Sequence, residues 1–491
     1  MVTRAISSAV ERLPYKQDVA GSKPASRIAG GGTGGVVPLS LDHRRPFIGR
    51  MANKGPVSAD DRTLPIPLAM ALPNLWKLYN LRSSPYFQAT LRQDSEATPL
   101  SLFVGRHEER QRLLTAIGGS RSSRQAVAGR PGIGKTTLVQ AVKADALAAG
   151  YWTSAEIIPI TADLTSEELI GQLLAGAYDS VLASSAQASG PAMEAAQQLV
   201  RSMRLRSGGF TVSALGFGAG GTSTQAISTP PGALLLDGPR VLRDLLAFAL
   251  EQGACGVVLH LNNLENLAEA DAARAADLLR SIRDQALLLD GLHLIVVGTT
   301  DAVRTVVQSH TQVRSVFSDP VVLDPLEPTE VHQLLQARYH ALQLDPSQLV
   351  HPPVQAEVID ALHGLFHGDL RGLLKALEEG ISALLGLTGN GDYAGPIGLA
   401  DLTQVLSRRY GLELQDQLGA TLWQRLAAWA ARDAQAVLTQ AELVALWGIK
   451  QPSVSQTLQQ LIGAGAVDVL PRKGGEPLQY LLAGATRLAL G

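Results

Sequence analysis

The sequence predicts an α/β chain: a parallel sheet flanked by helices, then a helical domain, then a small C-terminal unit of helices with a strand pair. Three observations carry this. From Leu100 to about Asp324, short apolar runs alternate with helical segments, as strands buried on both faces do when helical crossovers join them. From 327 to about 410, apolar positions recur three and four apart, for example in Glu330 to Leu342 and Leu370 to Leu385, which is a helical period. A glycine-rich turn, Gly129 to Thr136, joins an apolar strand to a helical run.

The totals bound the alternatives. At 491 residues the chain exceeds one ordinary core, so several domains are expected. Hydrophobic residues at 46% and charged residues at 18% describe a globular protein. Lys plus Arg (42) nearly cancel Asp plus Glu (44), so any contact with nucleic acid or anionic lipid must be a local patch. The lone cysteine, Cys255, precedes Val257-Val258-Leu259 and matches no metal-ligand spacing; it is expected to be structural. Asp290 and His293 interrupt the longest apolar stretch, Ala286 to Val297, short of the roughly 18 to 20 residues a bilayer crossing needs. With no signal-peptide hydrophobic region, the expected location is the cytoplasm.

Residues 1–60 hold Pro, Gly, Ser and scattered charge without period, so no packed structure is expected there. The stretch Ser7 to Arg27 resembles the peptides obtained when a tRNA gene is translated in a wrong frame; that implies a spurious extension and a start at Met51 or Met70. A leader segment, 61–97, follows. The expected strands are Gln125 to Ala128, Glu156 to Pro159, Gly256 to Leu261 and His293 to Gly298. An insert at about 176–235 separates the second from the third. Its part Gly208 to Ile227 alternates and is Gly-rich, which favours a hairpin or flap over a helix.

The turn Gly129-Arg130-Pro131-Gly132-Ile133-Gly134-Lys135-Thr136, followed by Thr137 and a helix, has the strand–loop–helix setting of a phosphate loop. Its glycines let backbone N–H groups converge on phosphate oxygens, and the helix N-terminus adds partial positive charge. In such loops the lysine, here Lys135, contacts the β- and γ-phosphates and the hydroxyl, here Thr136, ligates Mg²⁺. The expected cofactors are ATP and Mg²⁺.

Upstream, Phe103-Val104-Gly105-Arg106-His107-Glu108-Glu109 resembles the stretch that precedes the phosphate loop in AAA+ ATPases of the origin-recognition and related signalling families. The resemblance implies that Gly105 and Arg106 lie near the adenine. It continues in order. Val257 to Leu261 ends in Asn262-Asn263-Leu264-Glu265, where the family's Walker B acids stand. Ile295 to Asp301 resembles the sensor-1 strand, with Thr300 at its polar end. Arg314, before Val316-Phe317, looks like the arginine finger. Gly368-Asp369-Leu370-Arg371 resembles the sensor-2 motif of the helical lid. The implied boundaries are 98–326 for the AAA+ domain, 327–410 for the lid and 415–491 for a last unit.

One departure bears on chemistry. Asn262 and Asn263 replace the two expected acids, so the Mg²⁺ shell loses a carboxylate and the hydrolytic water its usual base. Binding is expected to survive and turnover to be slow, with Glu265 the nearby candidate base.

In the last unit, helical stretches Leu422 to Arg432, Gln440 to Trp447 and Ser453 to Ile462 precede a strand pair around Pro471 to Gly475. The spacing is that of a helix-turn-helix, and the whole resembles winged-helix DNA-binding domains. That implies Ser453, Ser455, Gln456 and Gln459 at phosphates or base edges, with Arg472 and Lys473 at the wing tip. The presumed recognition helix has no Lys or Arg, which weakens the electrostatic share of binding.

The leading expectation is an ATPase that couples ATP binding or slow hydrolysis to assembly on double-stranded DNA, with self-association. The alternative is an ATP-gated signalling or defence switch of STAND type acting on a protein partner encoded nearby. No membrane partner is expected.

Overall fold

The computed structural model describes residues 74–491 except 94, 97, 186–187, 207–232, 387–394 and 471–475. The expected extension 1–60, the Gly-rich stretch 208–227 and the pair Arg472 and Lys473 lie outside the described residues.

The sheet domain opens with α1 (His107–Gly118), β1 (Ser123–Ala128), α2 (Lys135–Ala148) and β2 (Ile158–Pro159). Next come α3 (Ser166–Ser184), α4 (Pro191–Arg206), α5 (Ala233–Glu251) and β3 (Val257–Asn262). It closes with α6 (Glu265–Ser281), β4 (Leu292–Gly298), α7 (Thr300–Val303), α8 (Thr311–Arg314) and β5 (Val321–Val322). The strands form one parallel five-stranded sheet in the order β2-β3-β4-β1-β5.

Both faces of that sheet are covered, so β3 and β4 read as nearly continuous apolar runs. Strand alternation sends Val127, Val258, Ile295 and Val297 into a core with α1 and α2, and Leu259, Leu261, Leu294 and Val296 into a larger one with α3, α5 and α6. Each fully buried aliphatic side chain contributes roughly 1.5–3 kcal/mol. The edge strands β2 and β5 are two residues each. The expected strand Glu156 to Pro159 therefore starts at Ile158, and β5 left no readable pattern, because an edge strand pairs on one side only.

The lid comprises α9 (Pro328–Ala341), α10 (Ala356–Leu365), α11 (Leu370–Leu385) and the first part of α12 (Leu399–Asp433). The leader packs into it: Leu75, Trp76, Tyr79, Leu81 and Tyr86 share one core with Leu335, Leu362 and Leu377. The Tyr86 and Tyr339 hydroxyls lie 2.9 Å apart in a buried hydrogen bond. At Gly419 α12 breaks, with φ 71° and ψ 170°, a conformation essentially reserved for glycine. The boundary expected between 410 and 415 thus falls inside a helix, and the backbone turns only at Gly419.

The C-terminal unit continues with β6 (Leu438–Thr439), α13 (Gln440–Trp447), α14 (Gln451–Gly463), β7 (Val467–Val469), β8 (Gln479–Leu482) and α15 (Gly484–Leu490). Its strands form an antiparallel sheet in the order β6-β8-β7. Thr439 caps α13 with Glu442 in a reciprocal pair, and Gly448 in the left-handed region ends it. The fully buried Trp429 centres this core among Leu443, Leu458 and Leu482. Helix α15 then returns to the lid, where Leu488 joins the lid core and Gly484 lies so close to the Phe366 ring that a Cβ would overlap it.

Candidate functional site

The carboxyl ends of β1, β3 and β4 lie side by side, so three segments distant in sequence converge where open α/β sheets take ligands. Above them stands the lid. Between the two is a cleft of about 340 Å³.

Its polar end is the phosphate loop. Gly132 and Gly134 hold φ of +79° and +95°, conformations that cost a Cβ-bearing residue energy, and they curl the backbone from Pro131 to Thr136 around the cleft. Lys135 opens α2 and donates from Nζ to Gly129 O (2.9 Å) and Arg130 O (2.8 Å). Burial pulls its ammonium down to about 8, while Glu265 opposes and Arg371 adds to the shift. Gly129 and Arg130 therefore meet the lysine through their carbonyls, while Pro131 to Thr137 line the cleft.

At the end of β3, Asn262 donates from Nδ2 to Thr136 Oγ1 at 3.4 Å. Asn263 follows with φ +67°. Glu265 also lines the cleft and accepts at Oε2 from the Thr299 backbone N–H at 3.2 Å. The bond ties the end of β3 to the end of β4. Thr300, half-buried, is the first residue of α7 and not part of the cleft wall. Arg314 ends α8, exposed and away from the cleft of its own chain.

The lid closes over the loop at one turn. Asp369 caps α11, accepting from the Arg371 N–H at 3.1 Å, and lies so near Gly132 that a Cβ there would overlap Oδ1. Burial raises the Asp369 carboxyl above its usual range, against the N–H groups of Gly372 and Arg371. Arg371 lines the cleft and its charge reaches Lys135. Arg106, buried and left-handed at φ +62°, donates to Glu109 Oε1 (3.0 Å) and to the Asp324 carbonyl. It ties the segment before α1 to the segment after β5. Gly105 backs onto the Glu330 carboxylate rather than the cleft.

Residues 102–297 match the family described as AAA ATPase domain. This segment is an AAA ATPase domain. No curated protein matches the chain. Among solved structures it is similar to a Walker-type ATPase of Pyrococcus abyssi: 15% identity over 82% of this chain and 99% of that one, TM-score 0.45. It is similar to the ORC2 protein of Aeropyrum pernix at 14% identity over 82% and 95%, TM-score 0.42. It is also similar to a chain of Drosophila ORC bound to DNA, at 12% identity over 90% and 95%, TM-score 0.38.

Two parts of the surroundings of the AAA ATPase domain escaped the sequence reading. The leader contributes Phe87 to Leu91 to the cleft wall. On the other side, Asp468 of β7, although exposed, stands within electrostatic reach of Asp369, Arg130 and Arg487, and desolvation raises its carboxyl. His367, beside the lid turn, is driven down to about 4 by burial, then by Arg487 and Arg130. Asp468 and Arg487 of the C-terminal unit thus act electrostatically on groups beside the phosphate loop. The only sequence cue was the charge of these side chains, which gives no partner.

On α14, Ser453, Ser455, Gln456 and Gln459 are all exposed. The Ser455 hydroxyl is held by Gln440 Nε2 and by the Gln451 carbonyl. Among the described residues no helix is long and apolar enough to cross a membrane, and no cluster of His, Cys, Asp and Glu could hold a metal ion.

Proposed function

We propose that the chain binds ATP with Mg²⁺ in the cleft between sheet and lid, hydrolyses it slowly, and couples binding to assembly on double-stranded DNA. The observation that carries the reading is the convergence of Lys135, Thr136 and Asn262 on one side of the cleft and Arg371 on the other. The donor set fits the metal. Magnesium prefers oxygen ligands and retains several waters, and Thr136 Oγ1, which accepts from the Asn262 carboxamide N–H, offers a neutral oxygen in the cleft that the Glu265 carboxylate also lines. When bound, the ion neutralises charge on the transferring phosphoryl group.

Lys135 holds the β- and γ-phosphates, Arg371 binds from the lid, and Arg314, exposed, completes the site of a neighbouring copy. With Asn262 and Asn263 unable to accept a proton, Glu265 is the base. Its bond to Thr299 N–H holds it at the junction of β3 and β4, and this supports slow rather than absent turnover.

We read the C-terminal unit as a winged helix. Its exposed α14 carries Ser453, Gln456 and Gln459 toward the duplex, and Arg472 with Lys473 serves the wing. A salt-dependent shift of duplex DNA, lost on Arg472→Ala with Lys473→Ala, is the expected result. Unchanged mobility at low salt would favour the second reading, an ATP-gated switch acting on a protein partner, which is supported by the electrostatic interaction of Asp468 with Arg130 and Asp369. In either case calorimetry with Mg-ATP should register heat that vanishes in Lys135→Ala.

A further inference from the structure

The cleft changes character along its length. Toward the lid its walls are apolar, with Phe103, Leu326, Leu334 and Leu374. The leader, Phe87 to Leu91, lines the same cleft, although it lies more than thirty residues before the phosphate loop in sequence. A leader segment without helix or strand does not hold its place at a cleft by itself, since an irregular segment loses conformational entropy when ordered. Arg338 of α9 supplies the anchor. Its Nη1 donates to Pro85 O at 3.0 Å and Phe87 O at 2.8 Å, and its guanidinium carbon lies 3.9 Å from the centre of the Phe87 ring.

A buried charge is costly unless it is paired. Arg338 is 5% exposed and forms no ion pair among the described residues; burial lowers it to about 10. Its Nε has no hydrogen-bond partner in the structure, and the residue itself borders the cleft. Fold stability alone would be served by an apolar side chain here. What the guanidinium adds is placement of one aromatic ring: one face of Phe87 is taken by the cation, and the residue lines the cleft.

We infer that Phe87 is the stacking platform for the nucleobase and that Arg338 is the positioning residue that holds it, so that the leader and not the sheet domain selects a nucleoside triphosphate over bare polyphosphate. This rests on the nucleotide-binding reading above. Base-on-aromatic stacking is worth about 1–3 kcal/mol, or roughly 5- to 150-fold in affinity. It tolerates any base, because every base has a π-face. Lys in place of Arg338 retains the charge but loses the planar fork that bonds carbonyls and stacks together.

The test is competition binding of Mg-ATP, Mg-GTP and inorganic tripolyphosphate to the full chain. For Phe87→Ala the expected result is roughly fivefold or greater loss for both nucleotides with tripolyphosphate unchanged. Phe87→Tyr, which retains the ring, should bind ATP as the parent does. Arg338→Lys should raise KM for ATP and leave kcat unchanged. Equal loss for nucleotide and tripolyphosphate in Phe87→Ala, or no loss, would overturn the platform while leaving the phosphate-loop reading intact. A parent chain that binds neither ligand would overturn both. Should Arg338→Lys fold poorly, the Phe87 pair still decides the matter.

Discussion

The carboxamide of Asn262 donates to the hydroxyl oxygen of Thr136 across 3.4 Å, so the residue standing where an acid is expected touches the group that would ligate the metal. An amide there can orient the threonine but adds no negative charge.

Asn262→Asp supplies that charge without changing side-chain length. Neighbours of a metal ligand commonly shift metal affinity by about 10- to 100-fold. The Mg²⁺ concentration for half-maximal ATP binding should therefore fall by about tenfold, and phosphate release should quicken. A magnesium titration that superimposes on the parent's would show that Asn262 lies outside the metal's shell.

Gly132→Ala should disable the loop. Its φ of +79° costs a Cβ-bearing residue about 1–2 kcal/mol, and the new atom overlaps Asp369 Oδ1. We expect a lower Tm without nucleotide and no rise in Tm when Mg-ATP is added. A normal ligand-induced shift would mean that the loop and the lid turn separate freely.

Acid should weaken the fold through two histidines. Burial pulls His260 down to about 3, Lys143 adding to the shift, and His293 down to about 4, Arg124 adding. Both folded values lie below the unfolded value near 6.5, so the unfolded chain binds more protons in between. Stability is full above about pH 6.5 and falls as pH drops toward 3–4. Neither ring nitrogen of His260 has a hydrogen-bond partner in the structure, so His260→Leu forfeits no bond. Its urea midpoint should decline less between pH 6.5 and 4.5 than the parent's; parallel declines would locate the acid sensitivity elsewhere.

Trp429→Ala should uncouple the C-terminal unit. The ring is fully buried and its Nε1 donates to Ala436 O at 3.3 Å, so truncation costs about 3–5 kcal/mol. Hydrogen exchange should accelerate across α13 and α14 while the β1 and β4 amides remain protected. Equal acceleration in both regions would point to a single cooperative core.

Much of the sheet was legible because its information is local. A loop that must curl around phosphates needs glycines at fixed positions, and β3 and β4, covered on both sides, must be apolar; both leave marks within a few residues. The helix Leu370–Leu385 was legible, since its apolar positions recur three and four apart. Other parts gave no local mark. The wall built by Phe87 depends on Arg338, 251 positions away, and β5 is held by its partner strand more than by its own two residues. The electrostatic interaction of Asp468 with Arg130 joins residues far apart in sequence, which no periodicity foretold.

The return of α15 has a practical consequence. Leu488, from the last turn of the chain, fills space in a core that begins with Leu75, and Arg487 and Thr486 are buried with it. A fragment that stops before the C-terminal unit therefore leaves the lid with a hole and an uncovered Phe366. Recombinant pieces cut at the apparent module borders should melt at a lower temperature than the full chain, because the lid core is shared between the leader and α15.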